Sequence, residues 1–179
     1  TRPTPTAWIL EEILRTYKLE GEPEFIVATG IHREPTMDEY IKIFGDVYQK
    51  YAEKIHSHDS RNDVFHYYGK TSFGTYVYLN SLLERHEHAV VIGSVEPHYF
   101  AGYTGGRKAF LPGIAAYSTI EQNHGLALKK GAEILNLRDN PVHQDMLEAL
   151  SFVENEIYSI MTVLDGKHRL CGVFTGDIY

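Results

Sequence analysis

An apolar run, Ala89-Val90-Val91-Ile92-Gly93-Ser94-Val95, leads straight into Glu96-Pro97-His98-Tyr99-Phe100-Ala101-Gly102-Tyr103-Thr104-Gly105-Gly106-Arg107-Lys108. The run is short, β-branched and bounded by glycine and proline signals, which predicts a buried strand. Three glycines, a histidine and two cations follow it. Gly105 and Gly106 let the backbone take positive φ or approach a ligand closely. Arg107 and Lys108 put positive charge where the glycines make room. Such a loop beyond the end of a buried strand is where open α/β sheets bind ligands. A surface turn with solvated cations is the competing reading. His98, Tyr99, Phe100 and Tyr103 weigh against it, because a turn without a task rarely needs them.

The rest of the chain sets bounds. Its 179 residues suffice for one domain with a real core. No run is apolar for long enough to cross a bilayer, and no signal-peptide pattern opens the chain. A formal charge of −7 gives no general reason to expect nucleic acid as a partner. Cys171 is the only cysteine, which excludes a disulfide framework and a thiolate cluster for zinc. A reducing, cytoplasmic setting follows most simply, with Cys171 as a small core residue. The chain begins Thr1-Arg2-Pro3 without methionine and stops at Tyr179 after an apolar run, so it reads as a piece of a longer protein.

Local signals place the elements. Trp8, Ile9, Ile13, Leu14 and Tyr17 share one helical face, and Gly21 and Pro23 stop that helix. Phe25 to Thr29 is a strand that runs into Gly30-Ile31-His32-Arg33. Thr36 and Glu39 form a capping box for a helix to Phe44, with Gly45 as its stop. A short helix is expected near Asp46–Ile55. His56 and His58, at i and i+2, point to one face of a strand. No third ligand stands near them, which favours a structural or surface role over metal. Val64–Tyr68 and Tyr76–Asn80 read as strands. Ser81 is the expected cap of a short helix to Arg85.

Ser118 and Glu121 read as a second capping box, opening a helix to about Lys130 that carries His124. Asn140-Pro141 is an N-cap with proline at the first helical position. Ile157–Leu164 and Leu170–Thr175 form a hairpin around Asp165-Gly166-Lys167-His168. Strands alternate with helices through most of the chain. The expected architecture is therefore α/β, a Rossmann-like three-layer sandwich with a mostly parallel sheet and helices on both faces, closed by an antiparallel pair. Residues 1–179 are expected to be a single domain.

His32 and His98 follow strands, and His124 follows the glycine loop on a helix. Two strand-end histidines on one crevice form a reciprocal acid and base near neutral pH. Arg2 is suited to hold a carboxylate through two parallel hydrogen bonds. A lysine beside glycines is suited to be a covalent anchor. The chain has no nucleophile elbow, no Walker loop and no Gly-x-Gly-x-x-Gly fingerprint. Residue types and spacing alone do not name a reaction. A non-catalytic phosphate- or nucleotide-binding domain, with Arg107 and Lys108 serving as charges, remains open, as does an interaction domain.

Glu96–Lys108, continued through Ala109-Phe110-Leu111-Pro112-Gly113-Ile114 to Asn123-His124, resembles the nickel-dependent lactate racemase family. Thr1-Arg2-Pro3 is similar to the end of that family's Asp-x-Thr-Arg segment. Ala28-Thr29-Gly30-Ile31-His32-Arg33 is similar to its Ala-Thr-Gly-x-His-Arg segment, and Asn140-Pro141-Val142 also fits. The matches run in order across nearly the whole chain. The resemblance implies a nickel pincer nucleotide, a pyridinium mononucleotide that binds nickel through one carbon and two sulfurs. It implies Lys108 as the thioamide anchor and His124 as the remaining nickel ligand in a near-square-planar site. His32 and His98 are the implied acid/base pair, and Arg2 the implied contact to the carboxylate of a lactate-like 2-hydroxy acid. The implied reaction is racemisation or epimerisation by hydride transfer. The family's aspartate before the threonine and its second domain lie outside this sequence. The resemblance thus implies a piece that needs its second domain as partner and is inactive alone.

Overall fold

The computed structural model describes residues 4–18 and 21–178. Arg2 therefore lies outside the described residues. Helix α1 (Thr6–Thr16) buries Ile9 and Leu10 and ends where Tyr17 turns extended, before the glycine expected to stop it. Strand β1 (Phe25–Val27) follows. Helix α2 (Met37–Phe44) starts on the predicted capping box: Thr36 accepts from the Glu39 backbone, and the Glu39 side chain accepts from the Thr36 backbone. Gly45 ends it at φ +57°. Helix α3 (Val47–Tyr51) runs through a 3-10 turn into β2 (Ile55–Ser57).

Strands β3 (Phe65–Lys70) and β4 (Tyr76–Asn80) pair antiparallel. The turn at Ser81–Arg85 is 3-10, and Asn80 rather than Ser81 caps it, through the Leu82 N–H. Strand β5 (His88–Ser94) precedes two short pieces, β6 (Pro97–His98) and β7 (Gly102–Tyr103). Helix α4 (Tyr117–Gly125) and helix α5 (Pro141–Leu150) follow, the second capped by Asn140 as predicted. Strands β8 (Glu156–Leu164) and β9 (Leu170–Asp177) close the fold as the expected hairpin.

The α/β class is correct, but the hydrogen bonding does not form one mostly parallel sheet. Among the described residues the strands form β1-β2, β3-β4, β5-β8-β9 and β6-β7. Only β1-β2 and β5-β8 are parallel. The reason is local. The turn from β3 to β4 is too short for a parallel crossover, which needs about a dozen residues. β1 and β2 have three residues each, too few to extend a ladder across a broad sheet.

The main core gathers Val77, Leu79, Leu111, Ile120, Val142, Met146 and Leu150 with Val91 and Met161 from the three-stranded sheet. Fully burying a side chain of this kind stabilises by roughly 1.5–3 kcal/mol. A second cluster joins Leu10, Tyr40, Phe44 and Val47, with Ile92 of β5 packed against it. A polar knot ties the helices to the core. The wholly buried Asp145 carboxylate accepts from Thr71 Oγ1 at 2.5 Å, Thr75 Oγ1 at 2.8 Å and Asn123 Nδ2 at 2.7 Å.

Two expectations need correction here. The Ser118–Glu121 box does not cap α4, whose cap position is Ala116, two residues earlier, with no side-chain cap. Thr119 instead lies inside the helix, accepting from Tyr78 N and donating to Tyr76 O. Cys171 is exposed rather than in the core. It sits on β9, a strand paired on one side only. No helix among the described residues is long and apolar enough to cross a membrane.

Candidate functional site

The strand β5 delivers the chain to the loop, and buried groups then fix the loop's shape. Thr104 bridges its two arms, accepting from Glu96 N at 2.9 Å and donating to Ser94 O at 2.8 Å. Asn140 Nδ2 donates to Phe100 O at 2.8 Å, so the cap of α5 also holds the loop. Arg107 is buried, and its Nη2 donates inward to Ala101 O at 2.9 Å and Tyr103 O at 3.1 Å. Burial lowers its pKa to about 10. Arg107 is thus a clamp on the loop rather than a charge offered to a ligand. This geometry counts against the phosphate-binding reading, which used both cations.

Lys108 follows on the same backbone turn. Its Nζ stands 3.5 Å from His98 Nε2 and 5.7 Å from the centre of the Phe100 ring. Phe100 also meets His98 edge-on at 4.7 Å and His124 edge-on at 5.0 Å. Three of the predicted site residues, His98, Lys108 and His124, therefore converge on one aromatic ring. Tyr99 stacks on His98 at 4.8 Å from the solvent side.

The protonation states are informative. His98 Nδ1 accepts from the Ala101 N–H at 3.2 Å. Its Nε2 is the nitrogen that faces Lys108. Burial, and then the charge of Lys108, push His124 down to about 4, so it is neutral at pH 7. The Ile120 carbonyl opposes that shift in part, and His124 Nδ1 is buried. A neutral, buried imidazole is the form in which histidine ligates a metal.

His32 is exposed on the turn after β1. That turn is joined to the loop through backbone: Gly30 N donates to Gly113 O at 2.9 Å, and Gly113 N donates to Lys108 O at 3.0 Å. Gly30 takes φ +59°, which accounts for glycine there. His58 is a support rather than a ligand. It is buried, with Nε2 donating to Ala115 O at 3.0 Å and Nδ1 3.3 Å from Asn80 Nδ2. His56 lies in the middle of β2, 3.6 Å from Glu24.

One residue near the site escaped the sequence reading. His143 is buried on α5, and burial followed by the Arg107 charge lowers it to about 4. Its helical spacing with Val142, Met146, Ala149 and Leu150 was the available signal. Among the described residues, no three His, Cys, Asp or Glu side chains are arranged to hold a metal by themselves.

The fold and cluster define a class: an α/β domain whose glycine-rich loop presents a lysine and a histidine, beside a histidine of α4, around one ring. The chain belongs to the lactate racemase N-terminal domain family, whose model matches residues 1–135. It is 34% identical over 183 residues to the lactate racemase of Thermoanaerobacterium thermosaccharolyticum, covering 98% of this chain and 42% of that protein. It is 33% identical over 190 residues to that of Lactiplantibacillus plantarum, covering 99% and 43%. The fold matches the T. thermosaccharolyticum lactate racemase apoprotein with a TM-score of 0.90 at 32% identity, over 99% of this chain and 43% of that one. A Thermotoga maritima protein shares the fold at a TM-score of 0.77 and 19% identity, over 94% of this chain and 45% of that one. The chain thus spans less than half the length of these relatives.

Proposed function

We propose that this chain supplies the cofactor-anchoring and acid/base part of a cytoplasmic racemase or epimerase for a lactate-like 2-hydroxy acid. The observation that carries this reading is the meeting of His98, Lys108 and His124 on the Phe100 ring. The donor set fits a metal that arrives with most of its ligands: one neutral buried imidazole, an adjacent amine and no complete protein cage. A nickel pincer nucleotide held by Lys108, with His124 as the protein ligand to nickel, would supply the hydride acceptor.

The chain's own residues do the remaining work. Phe100 gives the site an apolar wall that keeps water from the reacting groups. His98 exchanges a proton with the substrate hydroxyl through Nε2, and His32 does so for the other enantiomer. Arg2 pairs with the substrate carboxylate. To accept a proton at Nε2, His98 needs its other ring proton on Nδ1. That role requires the Ala101 N–H contact to be released.

The test is intact mass and metal analysis of the full-length protein, produced together with enzymes that make the cofactor. Lys108 should carry the adduct and nickel should be stoichiometric. Lys108→Ala should abolish the adduct. His124→Ala should keep the adduct but lose nickel on dialysis. An active racemase with unmodified Lys108 overturns the anchor, and normal nickel in His124→Ala overturns the ligand.

A further inference from the structure

The β5-β8-β9 sheet is covered unevenly on the face away from the main core. Register places Val90 and Ile92 of β5, Tyr158 and Ile160 of β8 and Val173 of β9 on that face. Ile92 packs into the cluster under α1. Strands lie about 4.8 Å apart and packed helices about 8–10 Å apart, so one helix covers roughly two strands. Helix α1 is used on β5. Beyond it runs an open groove of about 250 Å³ between Trp8 and Ile13 on one side and Ile160 and Val173 on the other. Trp8 is 51% exposed, Tyr158 48% and Val173 42%. An apolar strip of this width beside an existing helix has the shape of a second helix seat.

We propose that the groove seats an amphipathic helix from the additional polypeptide that a protein of lactate racemase length carries. The relatives are more than twice as long as the matched stretch, since it covers 42% and 43% of them. That leaves ample chain to supply the helix. The strip also continues the α1 layer of the fold rather than forming an isolated patch. Helix on sheet is the usual way an α/β layer is completed. The inference rests on family membership and not on the chemistry proposed above.

Trp8 is the only tryptophan, so its fluorescence reports on the groove directly. The experiment compares acrylamide quenching in the 179-residue chain and in a polypeptide of lactate racemase length that carries it. In the longer protein, quenching should fall severalfold and the emission should shift to the blue. Val173→Asp in the longer protein should return quenching toward the level of the short chain. Tyr158→Lys should do the same, as a second variant. In the short chain neither substitution should alter the far-ultraviolet circular dichroism. Equal quenching in the two proteins overturns the proposal. So does protection that appears in the short chain with rising concentration alongside a dimer in sedimentation, because a second copy would then fill the groove.

Discussion

The loop from Ser94 to Ile114 and the hairpin of β8 and β9 are built on the same sheet but are held differently. In the loop, buried side chains close the turns: Thr104 joins its arms, Arg107 gathers two carbonyls, and Asn140 reaches across from α5. In the hairpin, the ladder from Tyr158↔Asp177 to Leu164↔Leu170 carries the structure, and Cys171, Val173 and Phe174 face solvent. The loop is specified by buried side chains, its own Thr104 and Arg107 and, from α5, Asn140. The hairpin is specified by its own turn and alternation. The first arrangement fixes reactive groups to within small tolerances. The second leaves surface for further packing.

The largest expected effect breaks the loop through its backbone. Gly102 sits at φ +75°, and a Cβ there would lie 2.1 Å from the Asn136 carbonyl oxygen. Backbone cannot yield as a side-chain tip can. Gly102→Ala should cost more than about 3 kcal/mol, which is at least roughly 6 °C in melting temperature for a chain of this length. Gly176 on β9 is also at positive φ, +144°, but a Cβ there meets nothing within 4 Å. Gly176→Ala should cost about 1 kcal/mol. Equal losses in thermal melts of the two variants would remove the distinction between the regions.

The same contrast explains what could be read in the sequence. The Thr36–Glu39 box, the Asn140-Pro141 cap and the β8-β9 turn were legible because their partners lie within a few residues. The role of Arg107 stayed open, because residue type does not say that nearby carbonyls will turn inward around a cation. Asp145 was invisible for another reason: its partners Thr71, Thr75 and Asn123 come from distant segments. The Ser118–Glu121 pattern misled because Thr119 is needed inside α4 to hold β4. Cys171 misled because an apolar run does not reveal whether its strand is covered. For the site, His98 and Lys108 were legible as a motif, and their approach to His124 through Phe100 required the fold.

An intermediate effect separates the regions by pH. His124 and His143 have folded pKa values of about 4, below the unfolded value near 6.5. Between these values the unfolded chain binds more protons, so stability is present above about 6.5 and is lost as pH falls toward 4. With some solvent screening at His124, the loss should total on the order of 3 kcal/mol. Urea titrations at pH 7, 5.5 and 4.5 measure it. His143→Gln should flatten that slope. An unchanged slope in that variant would mean that His143 does not titrate as its burial dictates. Hydrogen exchange at pH 4.5 should show α4 and α5 opening before the β8-β9 ladder.

The smallest effect belongs to the hairpin. Phe174 pairs across the ladder with the buried Met161, yet it is 65% exposed. Its ring lies along its own strand, where a Cβ on Gly172 would meet it at 3.4 Å. An aromatic that shields a glycine and flanks a cross-strand neighbour adds a little packing to an otherwise weak position. Phe174→Ala removes that contact but opens no cavity, because solvent already covers most of the ring. The expected loss is about 0.2–1 kcal/mol, read as a small shift in the urea midpoint with an unchanged slope. A loss above about 2 kcal/mol would show that Phe174 is a buried anchor, as large as many core truncations. The hairpin would then be held by side chains, as the loop is, and the contrast between them would fail.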